Sequence, residues 1–593
     1  MKKTGLFLGG VMLFGILFSA QVSAKVNVEN VDLVGDIGFV TKIRGLDSAA
    51  ESTKALYVSQ TGSDSNDGSE AAPFKTINTA LDNATAGTTV YVRGGTYTEN
   101  VYFPQNGKAD AYITLKNYPG ENPVIKGTGK NDKAIIELDG HDYIHIEGLE
   151  LCDYSAKWCY GIIFAGGENH IIIRNNKIHN IKCSKPNDPD NSGANGILLF
   201  GETKEPISNV YIADNEIYDL VTGWCEALSV TANCEYVNVI NNTIDSSTNI
   251  GIDFYGNNAD GYCPVEELNQ PRYCIAAGNE VSNCVCSYAT CYGLYVDGAR
   301  DIVLENNISH NNQGGIEIGS EERNENYPVK NIIVRNNLVY DNTENGITVG
   351  GWNDGSSTGD ALSGVVYDTK IYNNTVVNNA DTGAGQLHIA MVNGLDVRNN
   401  IFSTNADKPV VASDVSKEQI NNLTFKNNLY YSSKNTQETV GFELMESSQT
   451  GMVQWSALTG ENGSFADPAL TADYKLGETS PAINNGDGSI DCGKYDLDNN
   501  SRVVNTVDIG AYEYQGGDTP VIKDPNQLMG DADNSGQLTA NDSATILKKV
   551  LDSSFVTALE KAVANAEIYL DVNEDNKITA DDAAIVLARV LNS

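Results

Sequence analysis

The chain has 593 residues and a formal net charge of −39. So large an acidic excess, without a cluster of Lys and Arg, argues against a nucleic-acid partner, because phosphate binding needs concentrated positive charge. It also disfavours an acidic polysaccharide unless a cation mediates. At the N-terminus "MKK" precedes the apolar "TGLFLGGVMLFGILFSA" and the small-residue triplet Val22, Ser23, Ala24. This is the pattern of a secretory signal over residues 1–24, its apolar run being shorter than the roughly 20 residues that span a bilayer. No later stretch is long and apolar enough to cross a membrane, so the chain is expected to be secreted and extracellular. Residues 25–54 read as an N-terminal extension. Ten of the eleven cysteines fall between Cys152 and Cys291. In an oxidising compartment they could pair, Cys152/Cys159 and Cys263/Cys274 being natural short loops, with at least one thiol left over.

Between residues 110 and 430 one pattern recurs: alternating apolar residues, Asn-Asn or a near variant, then an apolar residue, as in "HIIIRNNKIHN", "DIVLENNISHN" and "NIIVRNNLVYDN". The second Asn falls at 176, 215, 242, 279, 307, 337, 374, 400 and 428, at spacings of 26 to 39. Short strands that alternate in and out, with one Asn at the same bend of every coil, predict a parallel solenoid whose coils pair only with their neighbours. An antiparallel sandwich would not repeat one bend nine times. The expected fold is all-β, a right-handed parallel β-helix over residues 55–514. "APFKTINTALDNATAG" places Phe74, Ile77 and Leu81 on one helical face, suiting a cap over the first coil. The flanking "YVSQTGSDSNDGSEAAPFKTI" and "TTVYVRGGTY", with "FADPALTADYKLGETSPAINNGD" and "DIGAYEY" at the other end, resemble segments of secreted β-helix carbohydrate-active proteins, including family nine polysaccharide lyases. That resemblance implies a pectate lyase-like fold and action on polysaccharide, without naming a substrate.

Aligning the strand before each Asn bend gives a column. "GIIFA", "GILLF", "EALSV", "GIDFY", "GLYVD", "GIEIG", "GITVG" and "QLHIA" stack without gaps, and their outward third position reads Ile163, Leu198, Leu228, Asp253, Tyr295, Glu317, Thr348, His388. Asp297 faces outward at the fifth position and Glu226 at the first. With coils about 4.8 Å apart, Asp253 and Glu317 would be about 9–10 Å apart and Asp297 and Glu317 about 8 Å. These values lie near the roughly 6.5–9.5 Å of an inverting carboxylate pair. Asp253, Asp297 and Glu317 are therefore candidate catalytic residues, Glu317 as acid and Asp253 or Asp297 as base. Glu226, Tyr255, Tyr295, Trp224, Trp352 and His388 are candidate substrate contacts. Solvated outward residues on an acidic protein are the plain alternative.

A lyase needs a base, usually Lys or Arg, and commonly calcium, and the acid groove could hold a further Ca²⁺. The family nine calcium pattern includes two successive Asp residues; near the groove this chain offers only Asp260, in "NNADGY". The basic candidates Arg300, Arg323 and Lys330 follow the strands instead of lying in the column. A glycoside hydrolase is thus favoured, with a pectate-lyase-like enzyme and a non-catalytic glycan-binding subunit as alternatives.

After a polar linker at 515–528, residues 529–593 carry two twelve-residue loops, "DADNSGQLTAND" and "DVNEDNKITADD". A calcium loop takes its oxygens from positions 1, 3, 5, 7, 9 and 12. These are Asp531, Asp533, Ser535, Gln537, Thr539 and Asp542, then Asp571, Asn573, Asp575, Lys577, Thr579 and Asp582. Gly536 supplies the turn in the first loop and Asn576 in the second. Each loop leads into a matching helix, "SATILKKVL" or "AAIVLARVL". The pair resembles the type I dockerin of cellulosomal enzymes, a small all-α module with two Ca²⁺. The resemblance implies docking onto a cohesin of a scaffolding protein, through Ala540, Asn541, Lys548, Ala580 and Asp581, in a cell-surface or free cellulosome.

Overall fold

The computed structural model describes residues 25–46, then 54–516 apart from 131–132, 187, 189–190, 259–260, 322–323, 352–363, 380–384 and 414. In the C-terminal tail it describes 530–532, 535, 537–551, 557, 570, 572 and 578–592. Between Lys54 and Phe465 the chain winds into three sheets of thirteen strands. Each coil gives one strand to each sheet, as in Trp158–Phe164 (second sheet), Asn169–Arg174 (first) and Lys177–Cys183 (third). Every strand pairs in parallel with its equivalents one coil away, except that Gly441–Leu444 and Ser447–Thr450 close the second sheet antiparallel. This is a right-handed parallel β-helix. Ile77, Ala80 and Leu81 of the short helix Ile77–Asp82 are buried in its first coil. Phe74 joins that core from outside the helix, bridging to Val58.

The Asn pairs do two different jobs. The first residue of each pair adopts left-handed backbone: Asn175, Asp214, Asn241, Gly278, Asn306, Asn336, Asn373, Asn399 and Asn427 have φ from 53° to 68°. Asn, Asp and Gly are the residue types that tolerate this region. The second residue forms an internal ladder. Asn279 gives both its backbone N–H and its Nδ2 to Asn307 Oδ1 (each 3.0 Å), and Asn307 does the same to Asn337 (2.9 and 3.0 Å). The row runs from Asn176 to Asn428 and ends on Glu461 Oε2, 2.7 Å from Asn428 Nδ2. A second, shorter ladder of Asn312, Asn342, Asn379 and Gln386, not foreseen from the sequence, stands at the next bend.

Both ends of the β-helical unit fold back onto its outer faces. Residues 25–46 lie on the first sheet, with Val26, Val31, Phe39 and Ile43 packed on Ile172, Tyr211, Ile240 and Ile275. The segment after Phe465 covers later coils of the third sheet: Leu497 and Tyr512 pack on Ile308 and Leu338, and Leu476 and Ile509 on Ile401 and Leu429. No disulfide forms among the eleven cysteines. Cys152 faces outward beside Glu150 whereas Cys159 lies in the core near the Lys182 carbonyl, so the wall of the helix separates them. Cys263 approaches the Thr203 carbonyl in a loop while Cys274 is in the core, which likewise leaves the second expected pair apart.

Gln515–Ser593 forms a separate unit. Its described elements include helices Ala540–Leu551 and Ala580–Asn592. Equivalent residues of the two halves share one core: Ala532 with Val572, Ile546 with Val586.

Asn307→Ala removes the acceptor of two buried donors on Asn279. It should destabilise the β-helix by about 2–5 kcal/mol, since each orphaned buried group costs about 1–3 kcal/mol. The exposed change Lys330→Ala should stay within about 0.5 kcal/mol. Denaturant midpoints for the two variants check this, and equal midpoints would contradict it.

Candidate active site

Three consecutive coils of the second sheet carry the acids. Asp253, on Ile252–Tyr255, pairs with Tyr295 on Tyr292–Asp297, and Tyr295 pairs with Glu317 on Gly314–Gly319. At about 4.8 Å per strand, Asp253 and Glu317 stand about 9–10 Å apart with Tyr295 between them. Asp297 is two residues farther along, opposite Gly319. Thr348 and His388 continue the row on the next two coils.

One coil departs from the expected column. Ser229, not Leu228, pairs with Leu198 and Asp253, while Leu228 lies between Ile197 and Ile252 in the core. "EALSV" lacks the glycine that opens most of the other strands, and Ala227 takes that place, its carbonyl accepting the Gly196 N–H. A one-residue shift exchanges the two faces of a strand. Glu226 therefore precedes its strand. It is partly buried, its carbonyl accepting from Asn195 Nδ2 at 2.8 Å and its carboxylate from Ser229.

Aromatic side chains stand at both ends of these strands. Trp224 is 44 % exposed at the amino end, edge-on to Tyr288 with centroids 4.9 Å apart. At the carboxyl end the Tyr255 hydroxyl accepts from Asn258 Nδ2 at 2.6 Å, and Tyr262 packs between Tyr255 and Phe200. Tyr295 is buried against the acids instead of being offered to solvent. Trp352, Asp260 and Arg323 lie outside the described residues.

Asp253 and Asp297 point away from the helix core, yet each is only 2 % exposed. Burial pushes both well above the usual carboxylate range, and their acidic neighbours add to it: first Glu226 and then Asp297 for Asp253, Glu321 for Asp297. Burial and then Glu321 push Glu317 up to about 8, and burial with Glu321 pushes Glu226 up to about 7. Opposing this, Asp297 Oδ1 accepts the Glu321 backbone N–H at 2.8 Å. Among the described residues, Asp253 Oδ1 is buried without a hydrogen-bond partner. Asp297 is therefore the carboxylate better supported as an anion.

Glu321 and Glu344 act on the site without having been anticipated. Glu321 lies just past its strand in "GIEIGSEE", beyond the reach of the period-two pattern, and Glu344 reaches the cluster from a bend. Among the described residues, no second-sheet strand from Trp158 onward carries Lys or Arg. Arg300 pairs with Asp301 at 2.7 Å over the Tyr273 ring on the first sheet, and Lys330 is exposed on that same sheet.

In the C-terminal unit, Asp531, Asp542 and Asp582 are fully buried. Asp531 Oδ1 accepts the Ser535 N–H at 2.9 Å. Asp542 and Asp582 accept the N–H groups of Thr539 and Thr579, each at 2.8 Å. With Gln537 these are the loop positions that the structure describes; Asp533, Gly536, Asp571, Asn573, Asp575, Asn576 and Lys577 lie outside it. Ala540, Asn541, Lys548 and Ala580 are exposed at or along the two helices, and the Asp581 side chain is outside the described set.

A family model described as the Pel9A-like right-handed β-helix region matches residues 56–286. A general right-handed β-helix region matches 273–362. The chain is similar to Pel9A-like β-helix proteins. The Pel9A-like match stops before the strands that hold Asp297 and Glu317. An uncharacterised protein of Bacillus subtilis, YwoF, is 28% identical over 447 residues, covering 72% of this chain and 92% of that protein. Pectate lyase PEL9 of Emericella nidulans is 34% identical over 140 residues, 20% of this chain and 33% of that one. The solved complex of XylC with xylose is 13% identical with a TM-score of 0.42, covering 77% of this chain and 98% of the other.

Glu317 should make stability fall with rising pH. Its folded value of about 8 lies above the usual 4.5, so over that interval the folded state keeps a proton that the unfolded chain has released. The stabilising contribution is complete below the lower value and is lost as pH passes the upper one. Glu317→Gln should leave the melting temperature near pH 5 unchanged and raise it by a few degrees near pH 8.5. A variant no more stable than wild type at the higher pH would contradict this assignment.

Proposed function

We propose that the β-helix is a secreted glycoside hydrolase acting on plant cell-wall polysaccharide. The observation that carries this reading is the acid cluster on the second sheet, with Glu317 held protonated near neutral pH. Hydrolysis needs a protonated carboxyl to give its proton to the leaving glycosidic oxygen. It also needs an anionic carboxylate to activate water or attack the sugar. Glu317 fills the first role. Asp297, with its backbone N–H donor, fills the second. Asp253, one coil before Asp297, holds a further proton, and exposed Trp224 offers a face on which a sugar ring can stack.

Similarity to a protein named pectate lyase favours a second reading, β-elimination on an acidic glycan. The carboxylates would then hold Ca²⁺ and a basic residue would take the proton. The described Arg300 and Lys330 lie on another sheet, which weighs against it. The non-catalytic binder is the third reading. Purified wall polysaccharides should yield reducing ends without near-ultraviolet absorbance. Glu317→Gln and Asp297→Asn should each lower turnover about 10²–10⁴-fold. An unsaturated, ultraviolet-absorbing product would overturn hydrolysis in favour of elimination, and no product from any glycan would favour the binder.

The C-terminal unit we read as a type I dockerin that joins a cohesin of a scaffolding protein and places the enzyme in a cellulosome. Its donor set is all oxygen, as calcium prefers. Buried Asp531 and Asp542 of one loop, and Asp582 of the other, fit a cation that offsets their charge. Asp542 and Asp582 also bond the first turn of the helix that follows each loop, so cation binding and helix formation share the same side chains. Chelation should therefore remove helical signal from residues 529–593 and abolish cohesin binding, leaving the β-helix's activity on soluble glycan intact. An unchanged circular dichroism spectrum in excess chelator would contradict the calcium assignment.

A further inference from the structure

We infer that Glu150, Cys152 and His179 form a binding site for a zinc-type divalent transition metal on the third sheet, separate from the acid cluster. Glu150 and Cys152 are alternate residues of the strand Glu150–Ala156, so period two turns both outward. His179, on Lys177–Cys183, stands opposite Cys152 one coil on. One donor atom from each residue lies within 4.8 Å of the other two. Glu150 Oε1 is 3.2 Å from His179 Nε2 and 4.0 Å from Cys152 Sγ.

These separations suit a tetrahedral ion. With metal–N and metal–O bonds of about 2.0 Å and metal–S of about 2.3 Å, N···O should be about 3.3 Å and O···S about 3.6 Å. The carboxylate and imidazole are thus already placed, and the O···S separation is about 0.4 Å longer than that ideal. The His179 ring is set by stacking on Tyr218, with centroids 4.7 Å apart and planes at 3°. Lys126 is the cation opposite Cys152, but its ammonium is held by Asp153. Cys152 is buried while Glu150 and His179 are partly exposed, which gives an ion a route in. A Glu–His ion pair alone would account for two of the three residues and leave the thiol beside them unexplained.

The donor types decide the metal. A thiolate and an imidazole are poor ligands for Ca²⁺ or Mg²⁺ and good ones for Zn²⁺. Three protein ligands leave a fourth position for water.

Co²⁺ added to the reduced, calcium-saturated full-length chain is the test, because thiolate coordination to Co²⁺ produces a charge-transfer band in the near ultraviolet. One equivalent of Co²⁺ should produce that band together with tetrahedral visible bands, and Zn²⁺ should displace it. The oxygen ligands of the C-terminal loops cannot give a thiolate band. Cys152→Ser should abolish it, and Glu150→Gln and His179→Gln should each weaken binding at least tenfold. The double change Cys286→Ser with Cys291→Ser, whose sulfurs lie 2.9 Å apart, should retain it, and β-sheet circular dichroism should be the same throughout. The proposal is overturned if the wild-type chain gives no thiolate band, or if the band survives Cys152→Ser.

Discussion

The bend asparagines set the pitch on which everything else in the β-helix depends. A coil interior without water must satisfy the polar groups of each bend from within. An interior rung such as Asn307 does so by accepting two donors from the coil before it and giving its own Nδ2 to the coil after. An aliphatic residue could fill the volume but would leave those donors unpaired. Glu461 is a fitting last rung, because a carboxylate accepts from Asn428 and requires no further acceptor. The ladder holds successive coils in one register, and that register turns isolated outward residues into columns.

The two ends of the β-helical unit then decide which columns meet solvent. Left-handed Asn241 binds both the N–H and the carbonyl of Val26, anchoring the N-terminal segment on the first sheet. Left-handed Asn306, Asn336 and Asn373 donate to the carbonyls of Asp496, Cys492 and Asp508, anchoring the closing segment on the third. One residue type thus serves twice: its neighbour builds the interior, and it fastens the ends outside. Among the described residues, neither end segment packs on the second sheet, and the acid cluster lies there.

Within that cluster burial and mutual repulsion work in the same direction. Asp253, Asp297, Glu226 and Glu317 would each be costly as an isolated buried anion, and together they favour holding protons. A helix held only by apolar contact would relax by spreading the acids apart. The ladder's fixed spacing resists that, so the acids stay close and favour protons, the Glu321 backbone N–H opposing this at Asp297.

Repetition made the fold legible in the amino-acid sequence: nine Asn at one bend and period-two strands admit few other architectures. The outward row from Asp253 through Tyr295 and Glu317 to His388 was equally legible, because alternation is local and those strands align without gaps. Tertiary structure alone decided where local pattern carries no information. Leu228 and Ser229 exchanged faces because a bend absorbed one residue before their strand, and the missing glycine of "EALSV" is too slight a sign to show it. Glu321 reached Asp297 from a turn, and turns have no period to read. Cys152 and Cys159, near in sequence, were put on opposite sides of a wall. Glu226, Glu321 and Glu344, brought in from coils before and after, add to the burial that moves the acids' proton affinities. Sequence determines what repeats along the chain; the depth at which a side chain lies depends on segments far away in it, and only folding brings those together.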